Sequence, residues 1–337
     1  MPHAGIGAGV HAIWLIFGST SLHWRRSNMR RSEAIFPTSI ALRRSLLEPL
    51  DMTPSSFDRA PESVGNIVLL EHVNVTQTDQ RVTSVFWLQG LGFTRDPYMH
   101  VSDGNMWVNI GRQQIHSPTR PPQVLRGTIG VLMPDLAVAR AGLAAIGSKL
   151  AGTRFAWHDQ GYVIDATCPW GNHVRCHAPQ PRFGPMRLGI PYVELPVARG
   201  SAAGIARFYE QIMRAPVRLE TAAGLASAHV CAGAHQEIIY RETDAEIAAY
   251  DGHHIALYVA DFAGPHAELK RRGLISEESD QWQYRFEKIV DPDSGTHLFT
   301  LEHEVRSLTH PLFARPLVNR NPLQQQGAYT PGQDAFF

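Results

Sequence analysis

The sequence predicts an α+β fold made of four copies of one βαβββ unit, arranged as two tandem domains. Two observations carry that prediction. From Ile67 onward one local order recurs: an apolar or alternating strand, a polar residue suited to capping, a short amphipathic helix, and further strands separated by turns. The copies are also evenly spaced. Offsets of 120 (72 to 192), 126 (128 to 254) and 124 residues (171 to 295) separate corresponding landmarks, as tandem duplication of a two-unit domain produces.

The opening strands run through Leu69-Leu70-Glu71-His72-Val73, Thr128-Ile129-Gly130-Val131, Tyr192-Val193-Glu194-Leu195 and His254-Ile255-Ala256-Leu257. Their helices have the right period: Leu136, Ala139, Leu143, Ile146 and Leu150 share one face, as do Ile205, Phe208, Tyr209 and Ile212. Asp135 and Asp261 stand where an N-cap carboxylate accepts backbone N–H bonds, and Pro265 is tolerated in a first helical turn. Turns at Cys168–Asn172 and Asp291–Thr296 precede the last strands of the second and fourth copies.

Outside the repeats, residues 1–65 read as an N-terminal extension, disordered or upstream of a true start at Met29 or Met52. The first domain spans 66–183, the second 187–310, and 311–337 form an irregular tail rich at first in Pro, Arg and Asn. Such a tail forms neither helix nor strand and is expected to wrap over the body or a partner subunit, which leaves room for a homo-oligomer.

Composition narrows the function. The 337 residues carry 31 Lys+Arg against 31 Asp+Glu, without the basic excess of a nucleic-acid or anionic-membrane binder. The apolar run from Gly9 to Gly18 is shorter than the roughly 20 residues a bilayer span needs. Three cysteines support neither a disulfide framework nor a Cys-only zinc site, which points to a reducing, cytoplasmic setting. No glycine-rich phosphate loop follows a strand. The 17 histidines raise the expectation of a metal site.

The His72-Val73 strand, the His254-Ile255-Ala256-Leu257 strand ending at Asp261, and the Asp291-Pro292-Asp293 turn with Gly295 resemble the vicinal oxygen chelate superfamily. That superfamily includes glyoxalase I, bleomycin and fosfomycin resistance proteins and extradiol ring-cleaving dioxygenases. The resemblance covers about residues 67–310 and implies two half-barrel domains, each a cup around a metal or ligand. It also implies a divalent ion, Fe(II) or Mn(II), held by the first strand, sometimes the fourth, and the first and last strands of the partner module.

In the first domain His72 and His116 fall on such positions, Thr128 takes the third, and Arg175 replaces the glutamate placed four residues after the turn glycine. In the second, Tyr192 and Glu194 share a face, His254 matches the partner-module ligand, and Phe299 replaces the glutamate. Glu302 and Glu304 have the opposite parity to Phe299 whereas His303 shares it, giving an atypical set of Glu194, His254 and His303. Tyr192, Tyr258 and Arg175 are candidates for positioning substrate.

Two functional classes follow from the resemblance. One is a metal-dependent enzyme of the glyoxalase or extradiol dioxygenase type, acting on a small oxygen-rich molecule such as an aromatic diol. The other is a metal-free binder of a small aromatic ligand, motivated by the missing glutamates. Each histidine also has a plainer reading as an ordinary buried or solvent-facing strand residue.

Overall fold

The computed structural model describes residues 58–98, 104–317 and Tyr329. The chain divides into two units, Met1–Ser56 and Phe57–Phe337, and the fold below belongs to the second. The expectations for residues 1–57, including the starts at Met29 and Met52, lie outside the described residues, as does most of the tail beyond 317.

Four βαβββ modules follow one another. The first has β1 (Ile67–Asn74), α1 (Gln80–Ser84), β2 (Thr94–Arg95), β3 (Asn105–Ile110) and β4 (Gln113–Pro118). The second has β5 (Thr128–Leu132), α2 (Leu136–Ile146), β6 (Ala156–Asp159), β7 (Val163–Thr167) and β8 (His173–His177). The third has β9 (Gly189–Ala198), α3 (Ala202–Phe208), β10 (Val217–Ala222), β11 (Leu225–Cys231) and β12 (Glu237–Thr243). The fourth has β13 (His254–Val259), α4 (Ala263–Arg271), β14 (Ile275–Asp280), β15 (Gln283–Val290) and β16 (His297–Ser307).

The helices bury the faces that their periodicity marks. Leu136, Ala139, Leu143 and Ile146 of α2 are buried, and Asp135 caps that helix by accepting the Ala137 N–H at 2.7 Å. Asp261 accepts the Gly264 N–H at 2.9 Å at the start of α4. Asp79 does the same for α1, a cap the sequence reading passed over.

The strands form two eight-stranded half-barrels, in the orders β14-β15-β16-β13-β1-β4-β3-β2 and β10-β11-β12-β9-β5-β8-β7-β6. The module composition of the fold is therefore as expected, but the modules do not pair first with second and third with fourth, as two tandem domains would require. The first module shares a sheet with the fourth, and the second with the third. At the centre of each sheet, two opening strands run antiparallel (β1 with β13, β5 with β9), each flanked by its own module's last strand in parallel. All four modules carry the same strand pattern, so the pattern does not specify which one supplies the partner.

The first and second modules meet instead through helices. The first module's helix continues as a π-helical turn, Val85–Gly90, and packs on α2. A Cβ on Gly142 would lie 2.1 Å from the Gly90 carbonyl oxygen, so only glycine permits this approach. Among the described residues no helix is long and apolar enough to cross a membrane.

Candidate metal centre

The pairing of first and fourth modules brings three histidines into one cup. On the central ladder His72 stands opposite Ala256, and His254 opposite Asn74. Gln114 lies alongside His72 on β4, and His116 alongside Asn74. On the other flank Glu302 lies alongside His254, and Glu304 alongside Ala256. Alternation then turns His72, His116, His254 and Glu304 toward one space.

Ligand atoms of His72, His254 and Glu304 all lie within 4.8 Å of one another. His116 stands at the edge of this group, its ring centroid 5.6 Å from that of His72. His72 is fully buried, and Glu304 and His254 nearly so. Trp107 stacks on His116 at 3.8 Å and meets His72 edge-on at 4.9 Å, which gives the cluster an apolar wall.

Each imidazole is oriented through Nδ1. The register of β1 slips by one residue between Leu70 and His72, and Glu71 is the extra residue. This bulge lets two consecutive side chains meet, so Glu71 Oε2 lies 2.5 Å from His72 Nδ1. Glu302 Oε1 lies 3.2 Å from His254 Nδ1. At His116 the direction is reversed: Asn74 Nδ2 donates to Nδ1 at 2.7 Å, which leaves the ring proton on Nε2. At His72 and His254, where a carboxylate accepts from Nδ1, Nε2 is left to act as a ligand. The Nε2 atoms of His72, His116 and His254 are all buried without a hydrogen-bond partner.

Electrostatics keep the donors ready. Burial, with His72 and His254 close by, holds His116 well below the ordinary imidazole range, and burial lowers His254 despite the opposing pull of Glu304. Burial resists ionisation of Glu304, but Arg306 and His254 overcome it and keep the carboxyl well below the usual range. Its oxygens each lie 2.5 Å from a guanidinium, of Arg285 and of Arg306. Two imidazole nitrogens and a carboxylate suit a divalent transition metal, so His72, His254 and Glu304 fit the ion that the fold implies.

The other predicted residues are elsewhere. Glu194 belongs to the second sheet and pairs with Arg241 at 3.0 Å. His303 shares β16 with Glu304 but faces the core, stacked on Phe286 at 4.3 Å with Nε2 2.5 Å from the Tyr209 hydroxyl. The set of Glu194, His254 and His303 is therefore not assembled. Arg175 pairs with Asp165 at 2.6 Å in the second cup, where the Tyr192 hydroxyl meets His177 Nε2 at 2.9 Å. Tyr258 does lie in the first cup, its hydroxyl 3.5 Å from Arg306.

Glu304 is the residue that sequence reasoning rejected. Its parity relative to Phe299 was right, but Phe299, Leu301, His303 and Val305 form the buried core face of β16. Glu302, Glu304 and Arg306 therefore line the cup. The available signal was the alternation itself, with Glu302, Glu304 and Arg306 interleaved with Leu301, His303 and Val305.

The second cup keeps the geometry without the ligands. Thr128, Tyr192, Ile239 and Arg175 hold the register positions of His254, His72, His116 and Glu304. The Tyr192 ring lies where a Cβ on Gly130 would be, 2.3 Å away. A cavity of about 950 Å³ opens there, lined by charged residues that include Arg175, Arg241 and Glu237.

No family model and no curated protein matches the sequence. Among solved structures, glyoxalase I from Zea mays matches with a TM-score of 0.51 at 13% identity, covering 73% of this chain and 94% of that one. A point variant of that enzyme gives 0.51 at 14% over the same shares. A provisionally assigned dioxygenase from Bacillus subtilis subsp. subtilis str. 168 gives 0.46 at 11%, over 75% and 87%. At such identities the likeness is one of fold. The chain has the vicinal oxygen chelate fold, and among the described residues one histidine–glutamate group could hold a metal ion.

Proposed function

We propose that the protein is a metal-dependent enzyme of the glyoxalase or extradiol dioxygenase type, acting on a small oxygen-rich substrate through Fe(II) or Mn(II) in the first cup. One observation carries the reading. Two unpartnered, buried imidazole nitrogens, of His72 and His254, converge beside the buried Glu304, each ring oriented by a carboxylate at its other nitrogen. An empty core has no use for such an arrangement, because unpaired buried polar atoms cost about 1–3 kcal/mol each.

His72, His254 and Glu304 would hold the ion, with His116 beside them. When bound, it would act as a Lewis acid that stabilises negative charge developing on chelated substrate oxygens. Glu71, Asn74 and Glu302 orient the rings, and Trp107 limits access of water. Three carboxylates (Glu71, Glu302, Glu304) against two guanidinium groups (Arg285, Arg306) leave the pocket one negative charge before metal binding. A divalent ion reverses that sign, which favours an anionic chelator such as a deprotonated diol.

The alternative, a metal-free binder, draws on the same two arginines, since they already neutralise Glu304. Elemental analysis of protein purified anaerobically with added metal separates the two. The enzyme reading expects about one ion per chain, lost in His72→Ala, His254→Ala and Glu304→Ala but kept in Glu194→Ala. Protein without stoichiometric metal under those conditions contradicts it.

A further inference from the structure

The first cup contains a second feature that the metal reading does not use. Beside the cluster lies a cavity of about 420 Å³, within the size range of small-molecule sites. Its floor is Leu69, Glu71 and Tyr258, and Glu71 is also the partner of His72. Its roof is the chain after β16, where Leu312, Phe313 and Leu317 turn apolar side chains to it.

This roof is fastened at both ends of its contact. Phe313 packs on Tyr258 with ring centroids 4.9 Å apart. Arg315 forms an ion pair with Asp96, both side chains almost fully buried, and its guanidinium lies over the Tyr98 ring at 4.7 Å. Asp96 is itself held by Gln114 Nε2 at 2.6 Å. The strap thus ties the last strand of the fourth module to the first module across the mouth of their shared cup.

One donor in the wall has nothing to bind. Arg315 Nη1 is buried and has no hydrogen-bond partner among the described residues. At the rim, exposed Arg112 makes no ion pair among the described residues. The walls are apolar apart from Gln114 and the Glu71 carboxylate, which His72 and Arg306 engage. One unpartnered guanidinium N–H inside and a cation at the mouth suit an apolar ring bearing an acceptor oxygen.

We propose that the cavity under residues 312–317 binds an aryl carboxylate or a close analogue, and that this C-terminal strap sets the specificity of the adjoining centre. The inference rests on the metal-centre reading only in taking the occupant to be that centre's substrate. Arg315 and Leu312 then act as binding residues, and Asp96 positions Arg315.

The test is calorimetric titration of the full chain with 2-naphthoate, in Mn(II)-loaded and EDTA-treated protein, with metal content measured on the same samples. Saturable one-to-one binding is expected, weakened at least tenfold when 2-methylnaphthalene replaces the acid and abolished by Leu312→Trp, which fills the cavity. Leu69→Trp fills it from the opposite wall and guards against a misfolded strap variant. No saturable binding, or binding unchanged in both tryptophan variants, overturns the proposal. Naphthoate binding by protein that takes up no Mn(II) on loading sustains the cavity while removing the metal reading, whereas bound Mn(II) without naphthoate binding removes the cavity alone.

Discussion

At His72 the division of labour between the two ring nitrogens is set by its neighbour Glu71. Glu71 is ionised in spite of burial because His72 and Arg306 lower its carboxyl. Replacing Glu71 with Gln keeps the shape and removes the charge that fixes the tautomer. Metal affinity should fall by about 10–100-fold, as loss of such an outer partner does, with the ligands intact. Competition against a chelator of known affinity measures this, and unchanged affinity would show that Glu71 has no part in the centre.

His303, one residue from Glu304, has the opposite character. Burial pushes its imidazole down to about 3, against which the hydrogen bond to the Leu301 carbonyl works only weakly. In the unfolded chain a histidine takes up its proton near pH 6.5. Between those values the unfolded state binds more protons, so His303 contributes its full stability above pH 6.5 and loses it as the pH falls toward 3. His303→Phe should therefore flatten the acid limb of stability, by a few kcal/mol at most. Urea unfolding midpoints between pH 7 and pH 4 in both proteins check this, and identical slopes would refute it.

At the scale of elements, much of the fold was legible because apolar spacing and strand alternation report local packing directly. The face of α2 and the cap at Asp135 are as the spacing requires. His72 and His254 were legible because each occupies a landmark of its strand. Glu304 was not, because the turn glycine is a poor ruler for β16. That strand runs for 11 residues, and its ladder with β15 slips twice, so counting from Gly295 lands on the core face. Module pairing was illegible for a different reason. Four equivalent strand patterns allow several partnerships, and the choice lies in tertiary contacts such as the helix approach at Gly142. Gly142→Ala tests that contact: overpacking should cost about 1–3 kcal/mol. Thermal unfolding should show a lowered midpoint with metal content per folded chain unchanged, and an unshifted midpoint would mean the helices separate freely.

At the scale of the whole molecule, duplication has yielded two cups of one geometry and different chemistry. The first gathers His72, His116, His254 and Glu304, whereas the second places Thr128, Tyr192, Ile239 and Arg175 at the same register. An arginine where the carboxylate ligand would stand opposes a cation, so the chain should bind one ion and not two. Tyr192→Phe and Arg175→Ala should leave metal stoichiometry untouched, as elemental analysis will show. Loss of metal in either variant would place the ion in the wrong cup.

The central claim is that His72, His254 and Glu304, from the first and fourth modules, hold one metal ion. X-ray absorption at the metal edge of the iron- or manganese-loaded protein tests it most directly. The account predicts scattering from imidazole rings that diminishes in His72→Ala and again when His254→Ala is added. An edge spectrum with no imidazole scattering, or one that neither substitution alters, would contradict it.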